Sequence, residues 1–145
     1  MEAVIFIGIQ GSGKSTFYHE KFFDSHVRIN LDMLRTRKRE AILLHACISA
    51  KQSFVIDNTN LSRELRLGYI TIAKQAGFRV SGYFFSTSLK EALARNALRK
   101  GKARIPPVAV AGALKRMESP ELDEGFDELY RVTIDSNSNF LIQAM

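Results

Sequence analysis

Cysteine is nearly absent from this chain: Cys47 is the single one among 145 residues. No intrachain disulfide can form and no cysteine-rich metal site can be assembled, and a reducing, cytoplasmic setting fits that usage best. Histidine is sparse too, and His19, His26 and His45 lack metal-ligand spacing. No apolar run approaches the roughly 20 residues that a spanning helix needs. The N-terminal MEAVIFIGI has no basic leader and only a short apolar stretch, which argues against a signal peptide or a membrane partner. Internal repeats, heptads and low-complexity segments are also missing.

What is present suffices for one core. With 46% hydrophobic residues in 145, the chain is expected to form a single compact domain, 1–145. Short apolar runs alternate with longer amphipathic segments, the pattern of an α/β fold with a mainly parallel sheet and crossover helices. Predicted strands are Ala3–Ile7, His26–Asn30, Ser53–Asp57, Arg79–Phe85 and Leu129–Ile134, with an edge strand at Phe140–Gln143 after a turn at 136–139. Predicted helices start at Lys14, run over Asp32–Ala50 and over Arg63–Ala76 with Gly77 closing the latter, and begin again at Ser88. Ser88 and Glu91 have the spacing of a capping box, and that helix should end near Lys100. A last helix spans Val108–Met117. Cys47, in the apolar half of the second predicted helix, reads as a core residue.

Between Ile7 and the first predicted helix stands Gly8-Ile9-Gln10-Gly11-Ser12-Gly13-Lys14-Ser15. It satisfies GxxxxGK[ST] in the strand-to-helix setting the mechanism needs. Glycines let successive amides point at phosphate oxygens, and the following helix adds its positive end. Lys14 should reach the β and γ phosphates of ATP, Ser15 should place its hydroxyl on Mg²⁺, and Thr16 adds a hydroxyl near the α phosphate. Gly8, Gln10, Gly11, Ser12 and Gly13 complete the expected nucleotide-binding loop.

The use of that phosphate narrows by exclusion. No base-reading N-K-x-D string of a guanine-nucleotide switch occurs, nor the serine-glycine signature of an ABC-type ATPase. A motor or an AAA-type ring calls for a longer chain. Small P-loop kinases remain, and phosphoryl transfer to an alcohol requires a carboxylate near the acceptor, positive charge on the transferring group, and closure against water.

Candidates exist for each. VRINLDMLR delivers Asp32 at the C-terminal end of a strand, the side on which open α/β sheets bind ligands, with Arg35 one turn on. Asp32 could equally cap its helix. SFVIDNTNL ends an apolar strand in Asp57, a candidate direct or indirect ligand to Mg²⁺, followed by Asn58, Thr59 and Asn60 at the same edge. ARNALRKGKARIPP sets Arg95 and Arg99 four apart on one predicted helix face, ahead of a basic glycine-containing stretch and Pro106-Pro107. Guanidinium forks there suit phosphate, and the segment from about 88 to 118 reads as a helical lid.

Charge is polarised along the chain. Six bases and one acid fall between 90 and 104, and six acids with no base between 118 and 128. Such asymmetry suits a phosphate-rich partner on one surface and equally a solvated helix face.

Taken together, GIQGSGKSTF, RINLD, VIDNTN, FFSTSLKEALARNALR, RIP and ELDEGFDEL resemble the 5′-hydroxyl polynucleotide kinases, the P-loop kinase domain of nucleic-acid end-repair enzymes. The resemblance implies that Lys14 and Ser15 handle ATP and Mg²⁺, that Asp32 is the general base on the 5′-hydroxyl, that Arg35 contacts the scissile phosphate, and that Arg99 is the lid arginine bridging donor phosphates; Arg95 stands beside it as a nucleotide-binding candidate. It sets Asp57, Asn58, Thr59 and Asn60 beside the acceptor strand. Two departures stand out: Leu31 replaces the arginine of the family's N-R-D, and 145 residues leave no room for the 3′-phosphatase usual in these enzymes, so the expectation is a kinase-only chain or one with a separate phosphatase or ligase partner. The same branch includes kinases of small alcohols or nucleoside-type metabolites. A non-catalytic ATP-binding regulatory module is a third reading.

Overall fold

The computed structural model describes residues 1–101 and 104–145; Lys102, counted above in the basic segment, lies outside them. Six strands form one sheet in the order β2-β3-β1-β4-β5-β6. They are β1 (Glu2–Ile7), β2 (Val27–Ile29), β3 (Phe54–Ile56), β4 (Arg79–Phe85), β5 (Glu128–Ile134) and β6 (Phe140–Ala144). The first five pair in parallel and β6 runs antiparallel to β5. Helices α1 (Lys14–Lys21), α2 (Leu31–Leu34), α3 (Arg37–Ala50), α4 (Arg63–Gln75), α5 (Leu89–Ala97) and α6 (Pro107–Arg116) fill the connections. The α/β architecture expected from the alternating pattern is present, and the turn at 136–139 joins β5 to β6, with Asp135 Oδ1 accepting from the amides of Asn137 and Asn139 at 2.9 Å each.

Strand β1 lies at the centre because it is apolar on both faces. Ala3, Ile5 and Ile7 join a cluster with Leu44 and Cys47 of α3 and Ile70 of α4. Val4 and Phe6 point the other way, into a cluster with Phe17 and Phe22 of the α1 segment and with Phe85. Phe17 sits 5.2 Å from the Phe85 ring and 5.0 Å from Phe140, both edge to face. Those contacts seat α1, and with it Lys14, on the sheet. A third small cluster unites Ile9 with Ala92 of α5 and Val110 and Ala113 of α6, so the proposed lid segment is packed on the phosphate loop at its base.

Three expectations need correction. The helix predicted over Asp32–Ala50 is two helices: Asn30 caps α2, Arg35 leaves it at φ 77°, and Thr36 caps α3 through the Arg39 amide. Two side-chain caps six residues apart outcompete one continuous helix. The Ser88 capping box is half formed. Ser88 Oγ accepts from the Glu91 amide at 3.1 Å, whereas the Glu91 carboxylate takes the Thr87 hydroxyl at 3.0 Å. Finally, α5 ends at Ala97, so Arg99 stands past the last helical residue, on the capping turn, its amide donating to Asn96 O. Arg95 and Arg99 are thus not a pair on one helix face.

Candidate active site

The register levels Ile29, Ile56 and Ile5 across β2, β3 and β1, so three loops leave the sheet at one edge: residues 8–13, the start of α2, and 57–60. Gly11 and Gly13 have φ of 79° and 96°, in the left-handed region that favours glycine. A Cβ on Gly11 would meet Ala92 O of α5 at 2.6 Å. Glycine therefore permits both the curl of the loop and the approach of α5. Ser12 Oγ and Gln10 Oε1 are buried without a protein partner among the described residues. Orphaned oxygens beside a ring of backbone amides suit a polar ligand.

Gly8 plays a different part from its neighbours. Its amide donates to Thr59 O at 3.0 Å, which ties the phosphate loop to the 57–60 loop and withdraws that amide from phosphate binding. Asn60, buried at 3% exposure and at φ 49°, donates from Nδ2 to Phe6 O at 2.7 Å. Its side chain is committed to the framework, which corrects its assignment to acceptor contact.

Lys14 Nζ donates to Gly8 O at 2.8 Å and Ile9 O at 2.9 Å. Burial of the ammonium lowers its pKa to about 8. Asp57 and Asp32 counter that effect, and Arg99 adds to it by repulsion. Asp57, Asp32 and Arg99, all singled out in the sequence, thus each lie within electrostatic reach of Lys14. Asp32 occupies the first turn of α2, which Asn30 caps by accepting from the Met33 amide at 2.9 Å, so the capping reading of Asp32 does not hold. Arg35 is displaced from the helical spacing by its positive φ. Arg95 reaches from α5 to Gly11 O at 3.4 Å and Thr87 Oγ1 at 3.3 Å, lying against the loop. Thr16 is exposed on α1.

Two residues unread in the sequence shape this edge. Arg28 on β2 donates from Nε to Asp57 Oδ2 at 2.7 Å and from Nη2 to Ser15 Oγ at 3.1 Å. Glu40, 5% exposed on α3, accepts from Tyr69 Oη at 2.8 Å, Arg37 Nη1 at 3.0 Å and Asn58 Nδ2 at 3.0 Å. Asn58 Oδ1 in turn accepts the Leu31 amide at 2.8 Å, and Asn30 Nδ2 donates to Asp57 O at 2.6 Å. The asparagines of the 57–60 loop and of RINLD are the joinery that presents Asp32. Among the described residues no cluster of three or more His, Cys, Asp or Glu could hold a metal. Ser15 Oγ and Asp57 are oxygen donors spanned by a single guanidinium, which fits a magnesium ion held mainly through nucleotide phosphates. No helix among the described residues is long and apolar enough to cross a membrane.

The phosphate loop, parallel sheet and helical flank define the fold of a P-loop kinase. A family model described as an AAA domain matches residues 4–120, and the chain belongs to that family. The expectation drawn from length concerned a motor or an AAA-type ring and does not bear on membership of this family. The chain is 27% identical over 135 residues to the bifunctional polynucleotide phosphatase/kinase of Schizosaccharomyces pombe, covering 90% of this chain and 33% of the relative. That similarity bears out the resemblance to polynucleotide kinases. The chain spans about a third of the length of the curated relatives it matches. Among solved structures, a gluconokinase from Sinorhizobium meliloti superposes with TM-score 0.66 at 18% identity, covering 91% of this chain and 82% of the other. Kti12 of Chaetomium thermophilum, solved with ADP-AlF3, superposes with TM-score 0.69 at 16% identity, covering 94% and 92%. These two likenesses show the fold.

Proposed function

We propose that the protein transfers the γ-phosphoryl group of ATP to the 5′-hydroxyl of a nucleic-acid strand. The observation that carries this reading is the electrostatic convergence of Asp32, Asp57 and Arg99 on Lys14, at the sheet edge where α/β folds bind ligands. Lys14 and the amides of residues 11–15 hold the phosphates, and Ser12 and Gln10 offer their unspent oxygens. Asp32 accepts the proton of the attacking hydroxyl, and Arg35 and Arg99 balance charge on the phosphoryl group in flight. Magnesium, held by Ser15 and Asp57 together with the nucleotide, would supply further charge neutralisation. The α5–α6 segment, already packed on Ile9, serves as the lid.

The acceptor assignment draws on the curated relative's name and on the bases of α5 and its C-terminal turn. A strand entering over Arg35 and the 57–60 loop would meet the bases that follow α5, Lys100 and Arg104, through its phosphates. A separate phosphatase or ligase would act on the same ends.

Incubation with labelled ATP and 5′-hydroxyl oligonucleotides should label the 5′ ends. Absence of label on single-stranded and duplex DNA and RNA, with ATP binding intact, overturns the reading. Turnover of a small alcohol or nucleoside that added oligonucleotide leaves unchanged would redirect it to a metabolite kinase. Asp32→Ala should lower kcat by about 10²–10⁴-fold and leave ATP affinity nearly unaltered, because a general base acts on the transition state. Equal transfer by that variant would favour a site that uses a different base.

A further inference from the structure

The two side chains best suited to a divalent cation are already bridged by a cation of the chain's own. Arg28 contacts Asp57 Oδ2 at 2.7 Å through Nε and Ser15 Oγ at 3.1 Å through Nη2. The Asp57 side chain is 2% exposed, and Arg28 is the cation that pairs with it there. The same guanidinium lies 5.8 Å from the ring centroid of Tyr18, and Tyr18 is fixed by its hydroxyl donating to His26 O at 2.7 Å. Stacking on that ring is a contact the guanidinium can retain when it leaves Ser15.

We propose that Arg28 is a resident counter-cation of the metal site. It neutralises Asp57 and occupies Ser15 Oγ in the nucleotide-free protein, and it gives up Ser15 when a divalent cation arrives with the nucleotide. The inference rests on the assignment of Ser15 and Asp57 as the metal-facing pair and is independent of which alcohol is phosphorylated. Its consequence is a metal site that discriminates against free divalent cation. Bare metal must displace a charge-assisted bond in return for two oxygens, whereas metal delivered on a triphosphate brings its own ligands. The bridge also stabilises the metal-free fold, so one side chain has opposite effects on two observables.

The experiment follows Mn²⁺ binding by electron paramagnetic resonance, with and without a non-hydrolysable ATP analogue, alongside thermal unfolding in chelator. Arg28→Gln should lower the Tm in chelator and tighten binding of free Mn²⁺ about tenfold, which corresponds to ~1.4 kcal/mol, while tightening Mn²⁺ binding in the presence of the analogue much less. Arg28→Lys keeps the charge without the fork and should fall between the two proteins. It also serves as the deciding variant where Arg28→Gln does not fold. A lower Tm with Mn²⁺ affinity unchanged or weakened would show Arg28 to be structural only, or to orient Asp57 for the metal, and either outcome overturns the proposal. Neither measurement uses an acceptor, so failure of the nucleic-acid reading leaves this test intact.

Discussion

At the scale of single residues, Lys14 carries the sharpest pH dependence. Its ammonium sits at a pKa of about 8 against an ordinary 10.5, with burial as the main cause. Below pH 8 the group is charged in both folded and unfolded chains. Between about 8 and 10.5 the unfolded chain binds a proton that the folded one has released, so this group's contribution to stability rises with pH across that window. Nucleotide binding runs the other way. A triphosphate needs the ammonium form, so affinity for ATP should fall as pH rises above 8, and binding there should take up a proton. Calorimetry at pH 9 in two buffers of different ionisation enthalpy measures that uptake. No difference between the buffers would detach Lys14 from the phosphates.

The same scale shows what local sequence can carry. The phosphate loop was legible because its constraints are covalent neighbours of one another: glycines where φ is positive, a lysine and a hydroxyl one step on. Asp32 and Asp57 were legible as candidates because β2 and β3 deliver the loops that follow them to one edge, and Arg99 because it stands in a basic segment. Arg28 was not, because its partners Asp57 and Ser15 lie 29 and 13 residues away and a lone arginine on a three-residue strand reads as surface. Arg35 was misplaced because nothing in its residue type announces a left-handed backbone.

At the scale of elements, the break between α2 and α3 matters most. Thr36 caps α3, yet DMLRTRKREAILL is rich enough in helix formers to read as one helix. The short α2 is then held from outside, by Asn30 and by the Glu40–Asn58–Leu31 chain of hydrogen bonds. A glutamate in a predicted helix reads as solvated, so its burial was the feature least visible beforehand. Glu40→Ala leaves Tyr69 Oη and the Asn58 amide without their acceptor and should cost about 1–3 kcal/mol by urea unfolding. Its kcat should fall with it, as α2 loosens its hold on Asp32. Full stability in that variant would mean that water replaces the carboxylate and that the network is dispensable.

At the scale of the whole molecule, one buried ion pair ties the far side of the sheet to the site. Arg66 of α4 has no exposed side chain, and it grips Glu124 through Nε at 2.7 Å and Nη2 at 3.1 Å while donating to Asn60 O at 2.9 Å. Glu124 Oε2 also accepts the Glu121 amide at 2.8 Å. Arg66→Ala strands a buried carboxylate and should destabilise the domain by about 3–5 kcal/mol, read as a shift in the denaturation midpoint. Replacing Arg66 and Glu124 together by apolar residues of similar volume should recover much of that loss. If the double replacement is no more stable than Arg66→Ala, the loss reflects packing and not charge.

Through Asn60 and Thr59 that clamp reaches the amide of Gly8. Proton exchange with solvent would therefore divide one eight-residue loop into two populations. The amides of residues 11–15 are slowed only while a triphosphate occupies the loop, whereas that of Gly8 is slow throughout and exchanges only when the central sheet opens. A single spectrum then contains both the reporter of occupancy and its internal clock.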